Sequence, residues 1–411
     1  MGSVRRRTVS VREVVSNYIG GGWGKDVPDD DHASPAWVIR GRDLAAVRVG
    51  DTSSCPLRYH KESNLRSRDL VPWDIVFEVS GGSKDQPVGR SLLVTSATRA
   101  RFDGGVMCAS FCKRARPNRS VIDPAFLYWT LQALYNDRSI LQYQVQSTGI
   151  SNFKFEAFLD GQQIWLPSLD DQRRISGALC AYDALIENNT RRIRILEGMA
   201  QAIYREWFVE FRYPGHEDTP RVDSDLGRIP DGWSVCEVKE LVKRLRPGRT
   251  YQEADVQVSG SIPVVDQSRS GLMGFHEQAP DFRASLTKPI LVFGDHTCRM
   301  EVMTEAFSVG PNVVPFQPAG DCSPAHLFEL VRGLVATTEY KRHWSDLMAK
   351  RVISPPAELT HEYARRANDL IGLRRVLLAQ SRVLGRCRDE LLPRLISGEI
   401  DVSDLDMPEV A

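Results

Sequence analysis

Two long stretches of this chain place apolar residues every three or four positions without a break. In the first, residues 171–207, Ile175, Leu179, Tyr182, Ile186, Asn189, Ile193, Leu196, Ala200, Ile203 and Trp207 fall on one line. No proline interrupts it, and Gly177 and Gly198 are its only weak helix formers. The spacing predicts a helix with a coiled-coil seam, roughly 55 Å long at 1.5 Å per residue. In the second, Tyr363, Arg366, Leu370, Leu373, Leu377, Gln380, Leu384, Cys387 and Leu391 repeat the spacing until Pro393 stops it. One stripe on a long helix needs a partner to cover it, and the two helices are predicted to pair. Asn189 and Gln380 either fix the register of that pairing, as polar seam residues do, or lie where it is imperfect.

Shorter patterns fill the rest. Residues 1–165 hold brief apolar runs such as Ile75-Val76-Phe77 and Leu92-Leu93-Val94, bounded by Gly, Ser, Asp and Pro, as strands are. Residues 126–143 read as an amphipathic helix, 146–152 as a polar turn, and 163–166 as a strand ending at Pro167. Pro167 and the acidic Asp170-Asp171 suit the start of the first long helix. The proline- and glycine-containing stretch after Phe211 reads as a linker. The segment beyond it echoes the first. Residues 37–43 align with 262–266, Ile75-Val76-Phe77 with 290–293, and 123–128 with 323–328. The chain therefore divides into a globule at 1–166, a helix at 167–211, a linker at 212–228, a second globule at 229–355, a second helix at 356–400 and an acidic tail at 401–411. A duplicated scaffold with divergent loops suits two related binding modules of different specificity, and also any gene duplication.

Composition narrows this picture. The 411 residues carry 53 basic and 53 acidic side chains, so no global positive charge marks a nucleic-acid binder. Eight cysteines are scattered without a CxxC pair. Cys108 and Cys112 could share a metal, but no second pair has ligand spacing, and reduced thiols of a cytoplasmic protein are expected. No run of 18 apolar residues exists, so no membrane span is expected. Arg5, Arg6 and Arg7 lead into no apolar core, so no signal peptide is expected.

Candidate chemistry is sparse. Residues 19–24, Ile-Gly-Gly-Gly-Trp-Gly, could suggest a phosphate or S-adenosylmethionine loop. The strand and acidic residue that should accompany such a loop are missing, as is any Asn/Asp-Pro-Pro-Tyr tetrad to grip a target amino group. Pro355-Pro356 is flanked by Ser354 and Ala357, and no Walker A motif occurs. Residues 293–297, Phe-Gly-Asp-His-Thr, admit a hydrolase or metal site, a DNA-facing turn or a plain strand end.

Cations and long polar side chains offer a different chemistry, should the chain bind nucleic acid. Lys113, Arg114, Arg116 and Arg119 are candidates for phosphate contact, with Lys243, Arg244, Arg246 and Arg249 as their expected counterparts. For reading bases, bidentate donors on polar loops are the best candidates. These are Lys84, Gln86 and Arg90, then Thr148, Ser151, Asn152 and Lys154, then Gln267, Ser268, Arg269 and Ser270, and, from the 293–297 stretch, His296. The ordinary reading of any one of them is a solvated surface residue.

Four passages then give a family resemblance. Leu166-Pro167 followed by Gln172 and 188–192 (Asn-Asn-Thr-Arg-Arg) is one, and 200–211 closes that region. Residues 229–233 (Ile-Pro-Asp-Gly-Trp) and 388–400 (Arg-Asp-Glu-Leu-Leu-Pro-Arg-Leu-Ile-Ser-Gly-Glu-Ile) are the others. Together they resemble the DNA-specificity subunits of type I restriction-modification systems, over nearly the whole chain. The second globule departs from the pattern, since 343–347 stands where 146–152 would be echoed and Ser354-Pro355-Pro356 lacks a following Gln. The resemblance implies an α+β fold with two α/β target-recognition domains in pseudo-twofold repeat, separated by two long helices packed as an antiparallel coiled coil. It implies a non-catalytic, cytoplasmic, phage-defence protein that reads a bipartite asymmetric site in double-stranded DNA. Two modification subunits using S-adenosylmethionine to methylate adenine, and ATP- and magnesium-dependent restriction subunits, would be its partners; the chain itself would hold no cofactor. Ile186, Ile193, Leu196, Ile203, Trp207, Leu370, Leu377, Leu384 and Leu391 would serve helix pairing or those partners. The competing reading is a coiled-coil adaptor whose globules bind protein.

Overall fold

The computed structural model describes residues 7–81, 86–147, 150–268, 270–337 and 341–403. It divides into two compact units. One comprises 1–191 with 379–411, the other 192–378, so each contains a piece of both long helices. Among the described residues no helix is long and apolar enough to cross a membrane.

In the first unit, a four-stranded antiparallel sheet runs in the order Val15–Gly20, Cys112–Pro117, Ile75–Glu78, Ser91–Leu93. All of Ile75–Glu78 is buried, which explains its unbroken apolar run. A second sheet sets Ser34–Ile39 between antiparallel Leu57–His60 and parallel Gly105–Cys108. A short ladder joins Thr8–Ser10 to Gln163–Trp165. The helix Pro124–Asn136 is started by Asp123, whose side chain accepts from the Phe126 N–H, and by proline in its first turn.

The second unit repeats this order. Its four-stranded sheet runs Val242–Arg244, Val313–Pro318, Ile290–Gly294, Met300–Met303. Ile262–Val265 again lies between an antiparallel neighbour, Leu272–His276, and a parallel one, Ala306–Val309. Ser234–Glu237 pairs with Arg351–Ser354, and the helix Pro324–Val331 is capped by Ser323. The α+β repeat expected from sequence is present, down to strand order.

The long helices are Leu169–Tyr204, continued by a π-helical turn at Arg205–Val209, and Ala357–Ile396. They run antiparallel within each unit. In the first, Arg388 meets Asp183 at 2.5 Å, while Ile175 and Leu179 share a core with Leu392 and Leu395. In the second, Arg374 meets Glu197 at 2.7 Å, and Tyr363 donates to the Ala200 carbonyl at 3.2 Å. Every residue of the first predicted seam is covered at least in part, while Leu185, Ile195 and Met199 are exposed.

The second seam needs correction. Tyr363, Leu370, Leu377, Leu384 and Leu391 face inward, but Arg366, Leu373 and Gln380 are exposed. The second covered column lies one residue later: Ala367, Arg374, Ser381, Arg388 and Leu395. Two of these are arginines whose charge is met by carboxylates of the first helix, so a purely apolar pattern passes over them. Asn189 is buried on the seam, and Gln380 is not.

Three local readings also change. The helix predicted over 126–143 stops at Asn136, and Arg138 turns left-handed (φ 64°) before a 3-10 turn at Ser139–Tyr143. Of the polar turn expected at 146–152, the described residues belong to two paired strands, Gln144–Ser147 and Ile150–Phe153, the latter pairing onward with Ser80–Gly81. Residues 212–232 carry their own hairpin, Arg221–Ser224 against Gly227–Pro230.

Candidate nucleic-acid interface

The sequence offers cations on strands and polar residues on loops; the fold decides which of them reach solvent. In the first unit most arginines are committed within the protein. Arg114 is buried, donating to Asn17 at 2.6 Å and to the Ser67 carbonyl at 3.0 Å. Desolvation, and Arg116 beside it, lower its pKa. Arg116 clasps the fully buried Asp74 through two hydrogen bonds of 2.7 and 2.8 Å, which raise its pKa. Arg90 does the same to Glu78, at 2.8 and 2.6 Å. Burial alone would lower the Arg90 pKa, and the Glu78 bonds raise it. These three guanidiniums balance buried charge or satisfy internal acceptors, although the Arg116 side chain stays 39% exposed.

Other first-unit candidates stay at the surface. Lys113 lies over the rings of Tyr18 and Phe155, at 5.6 and 5.3 Å. Gln86, Arg119, Asn152 and Lys154 are exposed. Asn152 accepts from the Ser80 hydroxyl at 2.8 Å, tying its strand to the neighbouring one. Ser151, on the same strand as Asn152, is buried and is not available to a base. Lys84, Thr148 and Arg269 lie outside the described residues.

The glycine stretch has a structural role. A Cβ on Gly21 would come within 2.2 Å of the Cys108 and Ala109 carbonyl oxygens. The Gly21 and Gly22 amides donate to Cys112 and Cys108. Only glycine permits this approach, and these two amides are engaged within the protein. Cys108 and Cys112 are both buried, and desolvation raises both thiols, Cys108 to about 12. No group of three or more His, Cys, Asp or Glu among the described residues is placed to hold a metal.

The second unit arranges its cations differently. The expected correspondence between 113–119 and 243–249 fails by one strand. Lys113–Arg116 sit on the second strand of their sheet, whereas Lys243 and Arg244 sit on the edge strand that pairs with its equivalent. On that edge Lys243, Arg244, Arg246 and Arg249 are all exposed. Arg249 is paired with Asp255 at 2.6 Å and lies over Tyr251. Arg244 and Arg246 border a groove of about 650 Å³ whose lining also includes Asp295, Asn312 and Arg342.

At the rim, residues 295–297 form a turn held by hydrogen bonds. The His296 N–H donates to Gln267 Oε1 at 3.0 Å, and Thr297 Oγ1 donates to the Gln267 carbonyl at 2.8 Å. His296 Nδ1 lies 3.0 Å from the Lys341 carbonyl. Ser268 donates to Asp266 at 2.7 Å, closing its own turn. Asp295 is buried and accepts from the His343 and Trp344 amides at 3.0 and 2.8 Å. These contacts make 293–297 a strand end that positions a rim. Sequence reasoning passed over Arg342 and Asn312; the left-handed Asn312 (φ 59°) offered a signal only in the folded backbone.

Of the residues expected to serve pairing or partners, all nine lie on covered sides of their helices. Trp207 is buried with Phe208, Tyr213, Trp233 and Tyr363 in one aromatic cluster. The faces left uncovered carry Leu185, Ile195 and Met199 on the first helix and Leu373, Val376 and Val383 on the second.

No protein-family model matches the chain. The type I restriction enzyme MjaIX specificity subunit of Methanocaldococcus jannaschii is 24% identical over 306 residues, covering 68% of this chain and 70% of that protein. The MjaVIII specificity subunit of the same organism is 24% identical over 156 residues, 38% of this chain and 35% of that one. Among solved structures, a type I restriction-modification S subunit from M. genitalium aligns with a TM-score of 0.53 at 12% identity, over 96% of this chain and 97% of the other. The fold is shared with that subunit, and the resemblance to type I specificity subunits read from the sequence holds against these curated relatives.

Proposed function

We propose that this chain is the DNA-specificity subunit of a type I restriction-modification system. Each unit reads one half of a split, asymmetric site in duplex DNA, and the chain performs no chemistry itself. The observation that carries this reading is the repeated strand order in the two units, each built around a portion of both long helices. One scaffold used twice with different loops suits two half-sites of different sequence. The sequence similarity to curated specificity subunits supports the same reading.

The exposed apolar residues on the outward helix faces suit docking of two modification subunits, which would supply S-adenosylmethionine and adenine methylation. ATP- and magnesium-dependent restriction subunits would join that core in the cytoplasm. The same faces favour the second reading, a protein-binding adaptor, so DNA has to separate the two. The test is single-molecule methylome sequencing of cells expressing the chain with its neighbouring methyltransferase gene, and of cells lacking the chain. A split N6-methyladenine motif present only with the chain is expected. Methylation that does not depend on the chain would leave the adaptor reading.

A further inference from the structure

The groove of the second unit draws positive charge from two segments distant in sequence. Arg244 lies on the edge strand and Arg246 on the loop that follows. Arg342 reaches the groove from the segment before the helix Trp344–Met348, nearly a hundred residues later. Three arginines from two segments distant in sequence thus line one concave surface. Charges on an edge strand also discourage sheet-to-sheet pairing, but that role does not require a second element to bring another arginine to the same place.

Their electrostatic state is also distinct. Arg90 and Arg116 in the first unit are neutralised by carboxylates at bonding distance, and Arg114 is buried among internal acceptors. Arg244 and Arg246 have no ion pair or side-chain hydrogen bond among the described residues. The one acid among the described residues of the groove wall, Asp295, has Oδ1 occupied by two backbone amides. Its Oδ2 lies 3.9 Å from Arg342 Nε, and the Arg342 side chain remains 74% exposed. Thr250 and Asn312 add short polar groups to the wall. A groove lined by two guanidiniums without an ion pair and by an acid whose Oδ1 is already engaged is suited to a polyanion. Arginine holds phosphate oxygens through its planar array of donors.

We propose that this groove seats the phosphodiester backbone of one DNA strand, with Arg244 and Arg246 each contacting a phosphate and Arg342 closing over them. The assignment rests on the DNA-specificity reading and deepens it. In the second unit these arginines position the duplex, and base reading falls to other residues such as those on the Gln267–His296 rim.

The test uses the full-length chain with two duplexes: one bearing the split motif found by methylome sequencing and one of unrelated sequence. Affinity is measured by fluorescence anisotropy across a salt series for the wild type, Arg244→Gln/Arg246→Gln and Arg342→Gln. The double variant should weaken binding to both duplexes and reduce the slope of log affinity against log salt by about two, one per phosphate contact. Arg342→Gln should change it in the same direction, and the methylated motif should keep its sequence. All three side chains are exposed, so thermal melting should be unchanged; Arg342→Gln gives an independent reading if the double variant melts lower. An unchanged slope in folded variants would overturn the proposal, as would a changed base preference in one half-site, which would make these residues base readers. Failure of the wider reading looks different: the wild type would give no chain-dependent motif and no preference for either duplex.

Discussion

Phe126 and His326 hold matching positions, three residues after the capping Asp123 and Ser323. Both are buried. His326 packs 4.4 Å from Phe208, and its Nε2 has no hydrogen-bond partner. Burial lowers its pKa to about 3. The unfolded chain protonates this histidine below about 6.5, while the folded chain resists until much lower pH. Stability contributed by the neutral ring is therefore complete above about pH 6.5 and falls by about 1.4 kcal/mol per unit below it. His326→Phe, which restores the first unit's residue, should flatten that acid limb and leave stability near pH 8 little changed. Denaturant midpoints at a series of pH values measure it; parallel curves for variant and wild type would contradict the assignment. Arginines show where residue-level reading stops. The sequence shows Arg114, Arg116, Arg244 and Arg246 as equivalent cations, and only the pairing of strands separates the first two, committed inside, from the second two.

At the scale of elements, the first long helix was legible because its seam is almost wholly apolar. The second was legible as a helix but not in its facing. Leu373 matches the apolar spacing and Arg374 does not, yet Arg374 is turned inward to Glu197 while Leu373 is 52% exposed. A charge compensated by another helix cannot be read from its own helix. Leu377→Ala should lower stability by about 3 kcal/mol, as for a buried leucine. Leu373→Ala should change it by less than about 0.5 kcal/mol. Equal losses in urea melts would return the seam to its sequence-based position. The strand pairs within 144–153 and 221–230 escaped the sequence reading because polar turn residues fit a loop and a strand pair equally well until a partner strand is in place.

For the whole molecule, duplication was legible from three short alignments whose offsets drift, and the structure extends it to a common strand order. Under the proposed function, the length of the two long helices sets the distance between half-sites. Removing seven residues from each shortens the path by roughly 10 Å. At about 3.4 Å per base pair, the non-specific spacer between half-sites should contract by about three base pairs, with both half-sites unchanged. Methylome sequencing of the shortened chain reads this directly. An unaltered spacer would mean that the helices do not measure the distance between half-sites.

Periodicity determined the helices, the apolar runs determined the central strands, and the order of these elements determined the repeat. These features arise from neighbours along the chain, so the sequence carries them locally. The tertiary structure decided which arginines face solvent, that Arg374 and Arg388 belong to the helix seam, and that Arg342 joins Arg244 and Arg246 at one groove. Each of these depends on a carboxylate, a carbonyl or a second strand brought from far along the chain, and electrostatic pairing across such distances leaves no period in the sequence.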